Sequence, residues 1–78
     1  MPRYFFDIED GHVVRDNDGR ELANLEAAKA EANRALSDAV KDDFTRDALR
    51  EACINIRDES GVVVMRVCLA YSATPPLP

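Results

Sequence analysis

Asp16, Asp18 and Gly19 come closest to a metal-binding pattern in this chain of 78 residues. Carboxylates at alternate positions ahead of a glycine begin a calcium loop, because hard cations take oxygen ligands and the glycine permits a sharp turn. The complete loop also needs a ligand two residues before Asp16 and a carboxylate six residues after Gly19. Val14 and Leu25 stand there instead. The stretch therefore reads as a turn, which Asp, Asn and Gly all favour. No metal and no cofactor are expected.

The other chemically able residues are scattered. His12 is the single histidine and could serve as a general base beside Asp10 or Glu9. A base needs a nucleophile and a pocket within reach, and the sequence marks neither. Cys53 and Cys68 are too few for a disulfide framework and lack the Cys-x-x-Cys spacing. Only Arg66 is placed to activate a thiolate. A cross-strand disulfide, a redox pair and two reduced small residues all remain open, and the last needs no special explanation. Asp7, Glu9, Asp10, Asp16, Asp18 and Glu21 crowd the first hairpin. Paired carboxylates do acid–base work when burial splits their pKa values. Here they fall in turns and on the solvent-facing edge, so a solvated acidic surface is expected, one that could attract a basic partner. Pro75-Pro76-Leu77-Pro78 has a P-x-x-P spacing, but four residues of a terminal segment read as a frayed tail. No catalytic residue is assigned, and the chain is expected not to be an enzyme.

The element that would position all of these is a helix over residues 24–43. At 100° per residue Leu25, Ala28, Ala32, Ala35, Leu36, Ala39 and Val40 share one side, and Glu26, Asn33, Arg34, Ser37, Asp38 and Lys41 the other. Asn24 is a good N-cap, and Glu26 sits in the first turn, where the helix dipole favours a carboxylate. Glu31 and Arg34 are spaced to pair on the wet side. The apolar side is mostly alanine, so the helix backbone is expected to lie close on a sheet that supplies the bulk.

Residues 3–9 alternate, with Tyr4, Phe6 and Ile8 on one face and Arg3, Phe5, Asp7 and Glu9 on the other. Asp10-Gly11 is a two-residue hairpin signal, and residues 12–15 return. Residues 51–57 alternate with Ala52, Ile54 and Ile56 inward. Ser60-Gly61 turns the chain, and residues 62–71 come back with Met65, Val67, Leu69 and Tyr71 inward. That turn sets Ile54 against Val67 and Ile56 against Met65, a match that a one-residue slip would destroy. The same register places Cys53 opposite Cys68 on the outer face, among Asn55, Val64, Arg66 and Ala70, with Phe5 nearby if the first hairpin joins the sheet. This face is neither properly polar nor a core, and Phe5, Cys53, Asn55, Val64, Arg66 and Cys68 are its candidate self-association residues. An ordinary solvated sheet face is the alternative. Residues 44–50 read as a loop with Phe44 under the sheet or as a further helical turn.

A net charge of −5 and a pI near 4.7 oppose binding to nucleic acid or to an anionic membrane surface. No apolar run approaches the ~20 residues that cross a bilayer, and residues 1–10 lack the apolar stretch of a signal peptide. A cytoplasmic location is the default expectation. The length fits one domain over residues 1–71, with residues 72–78 a flexible proline-rich tail.

The opening Met1-Pro2-Arg3-Tyr4-Phe5-Phe6-Asp7-Ile8, the helix start Leu25-Glu26-Ala27-Ala28, the turn Arg57-Asp58-Glu59-Ser60-Gly61 and the strand Val64-Met65-Arg66-Val67 resemble a short bacterial domain family of unknown function, common in rhizobia-like alphaproteobacteria. The resemblance covers about residues 1–71 and implies no activity. The hairpin, acidic turn and Leu-Glu-Ala-Ala start also loosely resemble the partial RNase H-like fold of HicB-type antitoxins. The expected fold is α+β in the order ββαββ, a four-stranded antiparallel sheet with one helix packed on one face. The expected function is a non-enzymatic protein-interaction module forming a homodimer through the outer sheet face or a sheet edge, or alternatively an antitoxin-like or regulatory domain with a basic protein partner.

Overall fold

A computed structural model describes residues 1–43, 49–72 and Pro76. Along the chain run β1 (Arg3–Glu9), β2 (Val13–Val14), β3 (Arg20–Glu21), α1 (Leu25–Asp43), β4 (Leu49–Arg57) and β5 (Val63–Ser72). The architecture is α+β, an antiparallel sheet of five strands with α1 on one face. The four-strand ββαββ expectation is corrected on one point. β2 and β3 both pair with the same edge of β1, β2 at Ile8 and Glu9 and β3 at Arg3 and Tyr4. They are two ends of one edge segment whose middle loops away. A two-residue strand offers no alternation to read, so residues 20–21 were not legible as β3. The first turn is also longer than Asp10-Gly11 alone implies. Glu9 pairs with Val13, leaving Asp10, Gly11 and His12 as a three-residue loop.

The sheet order is β2-β1-β4-β5, with β3 beside β1. β4 therefore sits at the centre, between β1 and β5. The β4–β5 register agrees with the sequence expectation, with Ile54 opposite Val67, Ile56 opposite Met65 and Cys53 opposite Cys68. Past Ile56 the register shifts, so Arg57 faces Val63 and Val64 is the extra residue of a bulge.

α1 starts where Asn24 caps it. The Asn24 side-chain Oδ1 accepts from the Ala27 amide at 2.9 Å, and its carbonyl accepts from the Ala28 amide. Ala28 and Ala32 are fully buried and Leu36 nearly so, against Tyr4, Ala52, Ile54 and Ile56. Phe6, Leu22, Leu25, Met65, Val67 and Leu69 pack around this core. Small residues on the helix let it lie close, and the sheet supplies the volume. Ala35, expected inward, is exposed. α1 lies over β4 and β5, so its buried stripe is narrower than the sequence period suggested. For the same reason Ile8, though on the inner face of β1, stays 42% exposed. The side chains of Ala39, Val40 and Tyr71 lie outside the described residues, as do residues 44–48 and 73–75 and 77–78 of the tail.

Candidate functional site

The sheet face turned away from α1 is organised by a buried ion pair. Asp7 on β1 and Arg57 at the end of β4 are 7% and 8% exposed. Arg57 donates from Nε to Asp7 Oδ2 at 2.6 Å and from Nη2 to Asp7 Oδ1 at 3.1 Å, a two-pronged geometry suited to a planar guanidinium. The Arg57 guanidinium also stands 5.0 Å from the centre of the Phe5 ring, within cation–π range. The Arg57 hydrogen bond holds the Asp7 carboxyl below its ordinary value, although burial pushes the other way. Asp7 in turn raises the Arg57 pKa.

Residues 15–19 close over this pair. Arg57 Nη2 donates to the Asp16 carbonyl at 2.9 Å, and the Asp16 amide donates to Asp7 Oδ1 at 2.9 Å. The Asp16 side chain reaches back to the sheet edge. Its Oδ2 accepts from the Phe6 amide at 3.1 Å, and its Oδ1 accepts from the amides of Asp18 and Gly19 at 3.0 and 3.1 Å. The carboxylate thus takes the place of the strand backbone where the edge segment leaves β1, and the Phe6 amide is not orphaned. Burial pushes the Asp16 carboxyl up, but the three amides together hold it below its ordinary value. Residues 16–19 turn, as their sequence implied, and the Asp16 carboxylate makes the turn a clamp on β1; among the described residues no cluster is arranged to hold a metal.

Further along the face, Arg66 Nη1 donates to Glu9 Oε2 at 2.7 Å and to Asn55 Oδ1 at 2.9 Å. The Arg66 hydrogen bond lowers the Glu9 pKa. Cys53 and Cys68 are joined in a disulfide across β4 and β5, the cross-strand bond being one of the three states open from sequence. Cys53 is only 2% exposed, whereas Cys68 is exposed. Val62, Val63 and Val64 form an exposed apolar ridge at the start of β5.

Of the six candidate interface residues, the structure gathers all on this face but gives them different tasks. Asn55 and Arg66 belong to the network on Glu9, Phe5 lies under Arg57, and Cys53 is covered. Val64, Arg66 and Cys68 present exposed surface. The reading from sequence missed Asp7 and Arg57. Their signal was an aspartate among aromatics on β1, but its partner could be named only once β4 was known to lie beside β1.

On the opposite side of the sheet edge, a hollow of about 320 Å³ opens between α1 and the β1 edge. Phe6 and Ala35 line its apolar part, and Asp16, Asp18, Arg20 and Glu31 its rim. Asp16 is committed to backbone amides, and Glu31 to Arg20 and Arg34. His12 is exposed in its turn and lines no part of the hollow, nor does either cysteine.

Residues 3–70 match the family described as Domain of unknown function (DUF6894). The chain belongs to that family. No curated protein and no solved structure matches it. The matched span of this DUF6894 member runs from the first residue of β1 to within two residues of the end of β5, so the clamp, the ion pair and the disulfide all fall inside it. Among the described residues no helix is long and apolar enough to cross a membrane.

Proposed function

We propose that the domain is a non-enzymatic protein-interaction module that associates with a second copy of itself on the β5 side of the sheet, through its outer face or its open edge. One observation carries this reading. α1 covers one face of the sheet, while the start of β5 exposes an apolar ridge, with Val62, Val63 and Val64 at 56%, 53% and 38%. Contiguous exposed apolar side chains on a small domain mark a contact surface more often than isolated ones do. A domain of this size also gains stability by association. The polar residues around the ridge have partners within the chain, so covering them costs less than covering unpaired charges.

The test is the mass in solution by light scattering over a range of concentrations. The native chain is expected to reach a dimer mass. Val64→Lys places a charge on the ridge and is expected to raise the dissociation constant at least about tenfold, a step of about 1.4 kcal/mol. A native chain that remains monomeric throughout overturns the proposal.

An antitoxin-like or regulatory domain with a basic partner is supported less. The carboxylates that would attract such a partner are largely engaged, Asp7 by Arg57, Glu9 by Arg66, Asp16 by backbone amides and Glu21 by Arg3 at 3.7 Å. The proposal keeps the cytoplasmic location. There, thiol-reducing systems would hold Cys53 and Cys68 as thiols, so the bonded form belongs to oxidising conditions.

A further inference from the structure

β5 is the last strand of the sheet and pairs only with β4 among the described strands. Which of its backbone groups are left over follows from the register. In an antiparallel ladder, narrow pairs alternate with wide ones, and residues of a narrow pair point their N–H and C=O groups away from each other. Cys53 and Cys68 have their Cα atoms 4.0 Å apart, which makes theirs a narrow pair. Two residues on in either direction, Asn55–Arg66 and Glu51–Ala70 are narrow as well. The amides and carbonyls of Arg66, Cys68 and Ala70 therefore point to the open edge, and those of Met65, Val67 and Leu69 serve β4. An open edge of this length is a template for another strand.

The charge pattern says which strand. The chain carries 15 Asp and Glu residues, yet residues 62–78 contain none. β5 has a single charged side chain, Arg66, already paired with Glu9. Two copies with a net charge of −5 each repel over most of their surfaces and meet with least opposition along this strand. Antiparallel pairing of a strand with itself is also closed by a two-fold axis and ends at a dimer. The bulge at Val64 bends the start of β5, which limits the pairing to the stretch beyond it.

We infer that β5 pairs antiparallel with β5 of a second copy through the backbone groups of Arg66, Cys68 and Ala70, fusing the two sheets into one. The inference rests on the self-association reading and specifies its contact. A two-fold axis normal to the sheet puts both copies of α1 on the same side of the joint sheet. Met65, Val67 and Leu69, half-buried at the rim of one copy, then continue into the same residues of the other.

Hydrogen exchange combined with light scattering tests this. At concentrations where the mass is that of a dimer, the amides of Arg66, Cys68 and Ala70 are expected to be protected, and to lose protection at least about tenfold on dilution to monomer. Those of Met65, Val67 and Leu69 should stay protected at both. Ala70→Pro deletes an edge-facing N–H without touching the β4 ladder, and is expected to be a monomer with an unchanged far-UV circular dichroism spectrum. A dimer whose Arg66, Cys68 and Ala70 amides exchange freely overturns the edge contact while leaving self-association standing. A monomer at every concentration overturns both. A monomer with these amides protected shows that a segment of the same chain covers the edge, and overturns the pairing.

Discussion

Gly19 shows how tightly the turn over the ion pair is specified. Its φ is +70°, and a Cβ there would lie 2.7 Å from Cε2 of Phe5, the ring that supports Arg57. Gly11 has a similar φ of +78° but nothing within 4 Å of its absent Cβ. The two glycines therefore separate backbone preference from contact. Gly11→Ala is expected to cost about 1 kcal/mol, the left-handed backbone term alone. Gly19→Ala is expected to cost about 1–3 kcal/mol more, because Phe5 must move and take packing with it. Urea denaturation of both variants measures the difference. Equal losses would show that Phe5 yields freely and that the turn is not pressed against the ring.

The two halves of the sheet are secured by different means at the level of elements. β1 is held to β4 by backbone pairing and by the Asp7–Arg57 bridge. β4 and β5 share a long ladder and the Cys53–Cys68 bond, which spans a sequence separation of 15 residues. Closing a loop of that size with a disulfide restricts the unfolded chain by about 3 kcal/mol in the chain-entropy account. Reduction with a phosphine is therefore expected to lower the unfolding free energy by up to about 3 kcal/mol while leaving the far-UV circular dichroism unchanged below the transition, since the ladder itself does not depend on the bond. Loss of β signal on reduction alone would show that the hairpin cannot hold its register unaided. The β4–β5 register was legible from residues 51–71 because two alternating runs around Ser60-Gly61 match in one register only. β3 was not legible, because two residues have no period.

Across the whole molecule, the carboxylates tied into the fold set its response to acid. Asp7 and Asp16 titrate below the ordinary 3.8 of an aspartate, the first mainly through Arg57 and the second through backbone amides that outweigh burial. A group whose folded pKa is depressed stabilises the fold fully above its unfolded pKa, and that contribution disappears as pH falls through the folded one. Stability is accordingly expected to be level above about pH 5 and to fall steeply below about pH 4. Asp7→Asn should flatten the acid limb, at the expense of stability at neutral pH. Urea midpoints measured from pH 2 to 7 check this, and an unchanged acid limb in the variant would remove Asp7 from the account. The sequence by itself determined the helix span, its Asn24 cap, the inward Ala28 and Ala32 and the second hairpin, because each is written in a period or a cap confined to neighbouring residues. Only the tertiary structure decided that β4 lies beside β1, that Asp7 meets Arg57 across 50 positions of chain and that Asp16 stands in for a missing strand. Such partners are chosen by closing long loops and packing faces together, and no local repeat records that choice.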